Sequence, residues 1–249
     1  MGPGYRIHPM KYLLAVIVFT LAGCTPDVPG VPTKFRESPR FLVAGQSNAV
    51  SPAQEHAPYW SQTGRVTVTD VYHGKALRIP TQAKPMDGSI AWIYLGDMID
   101  RDVTFVNIAV GNKSTQRWME NDLRNSMLSA LFKYRFDAVL WVQGESDWVE
   151  KFDEERTYAN MKALIHASRV MQPSIKWFIA LNSFKTDPRE NRVRNAQRRI
   201  IAEGLALKGP DTDTLRDNPK WVEAGYGEFV GDGLREHGRL WFEVLKPYL

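Results

Sequence analysis

Four short apolar runs recur along the chain, and each ends in glycine or in polar residues. Short, nearly continuous apolar runs are typical of strands that are buried on both faces of a parallel sheet. Stretches with the three- to four-residue spacing of amphipathic helices separate and follow these runs. The runs are residues 40–45, 103–110, 138–142 and 176–181, and the helical stretches are residues 90–101, 122–134, 154–171 and 191–204.

Strands that alternate with helices predict an α/β fold. We expect a three-layer α/β/α sandwich whose mainly parallel, flavodoxin-like sheet has about five strands. Such sheets bind ligands beyond the carboxyl ends of their strands, so the residues that follow the apolar runs mark the expected site. Residues 51–89 contain Pro, Gly and short alternating pieces such as 65–69, which predict an irregular excursion with a small hairpin.

The first 24 residues have the pattern of an export signal. Lys11 precedes the apolar run 12–21, and small residues lead from that run to Cys24. This resembles a bacterial lipoprotein signal, with Met10 as an alternative start and Cys24 as the lipidated residue. The competing interpretation is a membrane-spanning helix with a free thiol, but a bilayer needs about 20 apolar residues and the run is shorter.

Two further segments follow the signal. Residues 25–38 begin with a stretch rich in Pro and Gly, which predicts an extended tether, and residues 39–249 are expected to form the folded domain. Lipidation of Cys24 would anchor the chain in the bacterial cell envelope. The residue after Cys24 is Thr25 rather than Asp, which resembles lipoproteins that are sent to the outer membrane and face the periplasm.

Charge and cysteine content narrow the functional classes. The formal charge of +4 comes from scattered basic residues, and the one dense run, 192–199, lies on a helical stretch that is expected to face solvent. Nucleic-acid binding is therefore not predicted. One cysteine forms neither a disulfide framework nor a CxxC zinc site within the chain, and no cofactor or metal is predicted.

Candidate chemistry lies after the apolar runs. Gly45-Gln-Ser-Asn48 follows the first run, but by itself this motif is also typical of a structural turn. An isolated Gly111 follows the second run, and a third block, from Trp141 to Asp147, reads Trp-Val-Gln-Gly-Glu-Ser-Asp. Together with Gly231-Asp-Gly233 and the later His237, these blocks resemble the SGNH hydrolases over residues 39–249. The best match is the branch of sialate O-acetylesterase-like carbohydrate esterases.

The resemblance implies a serine esterase with Ser47 as the nucleophile. The backbone N–H groups of Ser47 and Gly111 and the side-chain amide of Gln143 would form the oxyanion hole, which stabilises the charge that develops on the attacked carbonyl. Gly111 is equally well explained as a turn glycine. Gln143 is harder to explain by packing, because a buried amide needs hydrogen-bond partners. Residues expected to contact substrate or support the site are Gln46, Asn48, Glu145 and Gln197.

The base that activates Ser47 is less clearly defined. His237 is the candidate base and Asp232 its orienting acid, but the family places the histidine three residues after the aspartate, where this chain has Arg235. Three explanations stay open: a local insertion that still brings His237 to Ser47, an acid from elsewhere such as Glu145, or a domain that has lost hydrolysis.

The predicted function is removal of acyl groups, first of all acetyl, from O-acylated carbohydrate through an acyl-serine intermediate. The expected partners are an acylated glycan or another small ester, and the membrane through lipidated Cys24. Two alternatives remain: a glycan-binding lipoprotein of the same fold without catalysis, and a lipase- or thioesterase-type SGNH hydrolase.

Overall fold

The computed structural model describes part of one compact unit, Thr33–Leu249. Predictions for the signal, for Cys24 and for the start of the tether lie outside the described residues. In the part of the chain that is described, no helix combines the length and apolar character needed to cross a bilayer. The described residues are 34–51, 61–70, 75–78, 88–183, 191–224 and 227–249.

Strands and helices alternate along most of this unit, as the periodicity predicts. The strands are β1 (Arg40–Gly45), β2 (Val66–Asp70), β3 (Lys75–Arg78), β4 (Val103–Asn107), β5 (Ala138–Val142), β6 (Lys176–Leu181) and β7 (Leu207–Asp211). The helices are α1 (Ser47–Val50), α2 (Ile90–Met98), α3 (Thr115–Trp118), α4 (Asn121–Lys133), α5 (Glu145–Val149), α6 (Glu154–Met171), α7 (Arg192–Ala202) and α8 (Asp232–Leu245). Two 3₁₀ turns follow β7 and α8, at Thr212–Asp217 and Lys246–Tyr248.

The strands form one sheet in the order β3-β2-β4-β1-β5-β6-β7. All neighbours are parallel except β2 and β3, which form an antiparallel hairpin at one edge. Without this hairpin, the remaining five strands have the predicted flavodoxin-like order. The predicted sandwich is therefore confirmed, and the predicted hairpin enlarges the sheet beyond the expected five strands.

Helices cover both faces of the sheet, and β1 shows how the sequence divides between them. Phe41 and Val43 pack on the face that carries α2 and α8, whereas Leu42 and Ala44 pack on the face that carries α4, α6 and α7. All four side chains are fully buried. Burial on both faces is the reason why this strand is apolar at successive positions.

The folded domain begins earlier than predicted. Phe35 is buried against the rings of Phe41, Phe178 and Tyr248, and Arg36 forms an ion pair with Asp137 at 2.7 Å. The end of the predicted tether thus belongs to the domain. The Pro- and Gly-rich sequence that precedes Phe35 predicted an extended tether, so the packing of Phe35 against the core was not expected.

The elements absent from the sequence prediction include β7 and α8. β7 contains Gly209 and Pro210 and lies at the sheet edge, where proline is tolerated because one side of the strand has no neighbour. α8 packs against α2, and its buried stripe includes Leu234, Trp241 and Leu245.

Candidate active site

The candidate site lies at the carboxyl ends of three adjacent central strands. Ser47 follows β1, Gly111 lies beyond β4, and Gln143 follows β5. Because β1 lies between β4 and β5, the chain order reverses at this point, and a crevice opens there in sheets of this type. A cavity of about 210 Å³ lies here, and Ser47 is one of its lining residues.

Gly45 lets β1 lie close to β5 immediately before Ser47. Its φ is +131°, and a Cβ at this position would lie 1.9 Å from the carbonyl oxygen of Val142. The next residue, Gln46, donates its backbone N–H to that same oxygen at 3.0 Å. Glycine is thus required for the close turn that brings Ser47, which is partly exposed, into the cavity.

Gly111 lies beside Ser47, as the resemblance implies. A Cβ on Gly111 would lie 3.8 Å from the Cβ of Ser47, which is an ordinary contact distance. Within the described part of the chain, the backbone N–H groups of Ser47 and Gly111 have no hydrogen-bond acceptor. Two neighbouring, unpaired N–H groups are the donors that an oxyanion needs.

Gln143 differs from its predicted role. Its Nε2 donates to Oε1 of Gln46 at 3.0 Å and to Oδ2 of Asp147 at 3.3 Å, so both of its N–H donors are engaged. A direct oxyanion contact from Gln143 is therefore not formed in this arrangement. Instead, Gln143 and the backbone N–H of Ser146, at 2.9 Å, hold Oε1 of Gln46. Gln46 lines the cavity, and its own amide N–H₂ has no acceptor among the described residues.

Asp147 is the buried carboxylate that accepts a hydrogen bond from Gln143. It is fully buried and also accepts hydrogen bonds from the backbone N–H of Thr115 at 2.7 Å and from its hydroxyl at 2.9 Å. Burial raises the pKa of Asp147 from 3.8 to about 6, although these hydrogen bonds act in the opposite direction. Asp147 ends the block from Trp141 to Asp147, but the sequence alone did not indicate a role for it.

Asn48 and Glu145 form a second buried network under the nucleophile. Asn48 donates to Oε1 of Glu145 at 2.6 Å and accepts the backbone N–H of Phe229 at 2.9 Å. Glu145 also accepts from Asn182 at 2.8 Å and from Arg216 at 3.1 Å. Burial raises the pKa of Glu145, and the charge of Arg216 opposes this shift. The structure therefore places Glu145 as a support of Asn48.

Gln197 supports the strand ends and does not line the cavity. Its Nε2 donates to the backbone carbonyls of Gln143 at 2.9 Å and Asn182 at 2.8 Å, and its Oε1 accepts the backbone N–H of Asn182 at 3.1 Å. These bonds join the ends of β5 and β6. Gly144, between Gln143 and Glu145, allows this approach, since a Cβ there would lie 1.8 Å from the carbonyl oxygen of Asn182.

The predicted pair of Asp232 and His237 is not formed. Asp232 is exposed at the start of α8, whereas His237 is fully buried. His237 accepts the indole N–H of Trp241 on Nε2 at 3.1 Å, and its Nδ1 has no partner within the described ranges. Asp232 and His237 are five residues apart on α8, which is about 1.4 helical turns, so their side chains lie on different sides of the helix.

The surroundings of His237 are those of a core residue. Its ring lies 5.5 Å from that of Trp92 and 5.1 Å from that of Phe229. Burial lowers its pKa to about 3. His237 does not line the cavity of Ser47, and Arg235, in the position where the family has histidine, is exposed.

Glu228 is a cavity residue that sequence reasoning missed. It lines the cavity together with Ser47 and Asn48, and its Oε2 is buried without a hydrogen-bond partner among the described residues. Arg216, Asp213 and Arg194 continue the network of Glu145 away from the cavity. Arg194 lies in the basic run 192–199, which was expected to face solvent, but it is buried because Asp211 and Asp213 pair with its charge.

A family model for "carbohydrate esterase, sialic acid-specific acetylesterase" matches residues 89–221, which is more than half of the chain. The chain belongs to this carbohydrate esterase family. The matched region contains Gly111, Gln143, Glu145 and Gln197. It ends before Glu228 and begins after Ser47.

Solved structures of low sequence identity share the fold. A protein from Arabidopsis thaliana is 17% identical and has a TM-score of 0.60, with 86% of this chain and 100% of that chain covered. The psychrotrophic esterase EstA from a Pseudoalteromonas species is 11% identical, with a TM-score of 0.60 and coverage of 84% and 97%. A carbohydrate acetylesterase from Xanthomonas citri is 14% identical, with a TM-score of 0.61 and coverage of 84% and 55%. No curated protein matches the chain. The family match confirms the predicted resemblance to sialate O-acetylesterase-like carbohydrate esterases, and the solved structures share the fold.

Proposed function

We propose that this family member removes acyl groups, in the first place acetyl groups, from O-acylated carbohydrate. The observation that carries the proposal is the position of Ser47, which is partly exposed in a polar cavity beside Gly111 with two unpaired backbone N–H groups. The carbohydrate substrate is supported by the family and by the similar fold of the carbohydrate acetylesterase from Xanthomonas citri.

The proposed reaction uses this geometry. The Ser47 hydroxyl loses its proton and attacks the ester carbonyl, and the resulting oxyanion accepts hydrogen bonds from the N–H groups of Ser47 and Gly111. One well-placed donor of this kind contributes about 2.7–4 kcal/mol to the transition state. The sugar alcohol leaves with a proton, and water then hydrolyses the acyl-serine. Gln46, held by Gln143 and Ser146, lines the same cavity.

The test is hydrolysis of p-nitrophenyl acetate and of an acetylated sugar by the full chain in detergent. We expect Ser47→Ala to abolish turnover of both substrates. Ser146→Ala is the matched control, because it removes a hydroxyl from the same cavity and keeps the backbone N–H that binds Gln46. Turnover by Ser47→Ala equal to that of the unmodified chain would refute the mechanism.

The burial of His237 favours a second function, a glycan-binding lipoprotein without catalysis. A fluorophosphonate probe separates the two, since it labels an activated serine covalently. Labelling of Ser47 supports the esterase, whereas retained glycan binding without labelling supports the binder. A lipase- or thioesterase-type activity would instead appear as a rate that rises with acyl length.

We further propose that Cys24 anchors the esterase in the bacterial cell envelope, at the outer membrane and facing the periplasm. The support is the sequence before Cys24, with Lys11, a short apolar run and small residues. An anchored position would hold the cavity close to surface or periplasmic glycans.

A further inference from the structure

Ser47 needs a proton acceptor, and the described histidines do not provide one. His166 is exposed on α6, and His237 is enclosed by aromatic side chains of the core. Neither lines the cavity. The side chains that do line it include three carboxylates, those of Glu145, Glu150 and Glu228.

The three carboxylates differ in their surroundings. Glu145 is occupied by hydrogen bonds from Asn48, Asn182 and Arg216, so it has little capacity left for a proton from Ser47. Glu150 lies at the exposed end of α5. Glu228 combines a place in the cavity with a buried Oε2 for which the described part of the chain offers no partner. A buried carboxylate oxygen without a donor is costly, which favours a role for it.

The backbone around Glu228 is attached to the nucleophile's own turn. Asn48, the residue after Ser47, donates to the carbonyl of Gly227 at 3.3 Å and accepts the N–H of Phe229 at 2.9 Å. Arg216 donates to the same Gly227 carbonyl at 2.7 Å. The backbone on both sides of Glu228 is thus held by contacts that also hold Asn48 or its partner Arg216, and Glu228 and Ser47 line the same cavity.

We propose that Glu228 is the general base of this esterase, in place of the family's histidine. The inference rests on the proposed function. The carboxylate of Glu228 accepts the proton of the Ser47 hydroxyl as Oγ bonds to the acyl carbon. The protonated Glu228 then gives that proton to the departing alcohol oxygen as the ester bond breaks. In the second half, Glu228 takes a proton from water, and the new hydroxide oxygen displaces Ser47, which recovers the proton.

The experiment compares three variants of the full chain in detergent with p-nitrophenyl acetate as substrate. A general base contributes about 10²–10⁴-fold to the rate, so we expect Glu228→Gln to lower kcat by that factor with little change in the thermal midpoint. Glu228→Ala, which opens space for a small anion, should regain turnover on addition of formate. Glu243→Gln, which removes an exposed carboxylate of α8 outside the cavity, should stay close to the unmodified chain.

The outcomes separate this inference from the proposed function. Turnover that requires Ser47 but survives Glu228→Gln overturns the inference and leaves the esterase intact. Loss of turnover without rescue of Glu228→Ala by formate also overturns it, since a structural role would then explain the loss. If the Glu228 variants do not fold, the turnover of a His237→Gln variant tests the inference instead. Retained turnover in that variant excludes His237 as the base and supports the inference, whereas a folded, inactive His237→Gln restores His237 and overturns it.

Discussion

Asp147 provides a quantitative test of the buried polar network at the site. Its carboxylate is fully buried and accepts hydrogen bonds from Thr115 and Gln143. Burial raises its pKa from 3.8 to about 6. The folded state therefore binds the proton more tightly than the unfolded state, and the resulting stabilisation is present at low pH and is lost as the pH rises through about 6.

The size of the effect follows from these values. The interval between 3.8 and about 6, at about 1.4 kcal/mol for each pH unit, corresponds to about 3 kcal/mol over the full titration. Between about pH 4.5 and about pH 7.5, the free energy of unfolding should lose about 2 kcal/mol through Asp147 alone. Asp147→Asn removes this titration. Its altered hydrogen bonds to Thr115 and Gln143 change the free energy of unfolding by an amount that does not depend on pH.

The assay is urea unfolding of the unmodified chain and of Asp147→Asn at both pH values, followed by tryptophan fluorescence. The free energy of unfolding of the unmodified chain minus that of the variant should fall by about 2 kcal/mol from the lower to the higher pH. Titration of other groups cancels in this difference. A difference that does not change with pH would refute the reasoning and would mean that Asp147 stays ionised throughout.

Two further predictions concern packing and the anchor. Gly144→Ala should lower the free energy of unfolding by about 1–3 kcal/mol or more and should reduce turnover, because the new Cβ would lie 1.8 Å from the carbonyl oxygen of Asn182 and would displace Gln143 and Glu145. Gly204→Ala places its Cβ where nothing lies within 4 Å and carries only the backbone strain of a φ of +70°, so it should cost less in urea unfolding; equal losses would contradict the steric argument. Cys24→Ala should move the chain from the membrane to the soluble fraction and remove a lipid mass from the intact-mass spectrum. A variant that stays in the membrane would exclude this anchor.

Local patterns were sufficient for most of the fold. The apolar runs predicted β1, β5 and β6 with their observed bounds, and the helical spacing predicted α6 from end to end. They worked because burial on both faces of a parallel sheet makes a strand continuously apolar. The pattern was insufficient for β7, whose glycine and proline are tolerated at the edge of the sheet.

The roles of the site residues were harder to predict than their places. Ser47 and Gly111 follow strand ends, and the structure places them side by side. The predicted partner of Asp232 was wrong, because the sequence does not show which side of α8 a residue occupies after packing. Gln143 was correctly placed after β5, but its amide donates to Gln46 and Asp147.

The sequence by itself thus determined the alternation of strands and helices, the strand that delivers Ser47, and the family to which its motifs are similar. Only the tertiary structure decided which groups meet. Asn48 and Phe229 are 181 residues apart, and Asn48 and Glu145 are 97 residues apart. Hydrogen-bond partners at such separations depend on the sheet order and on helix packing, which no local spacing encodes. For this reason Ser47 was found from its motif, while Glu228 emerged from the fold.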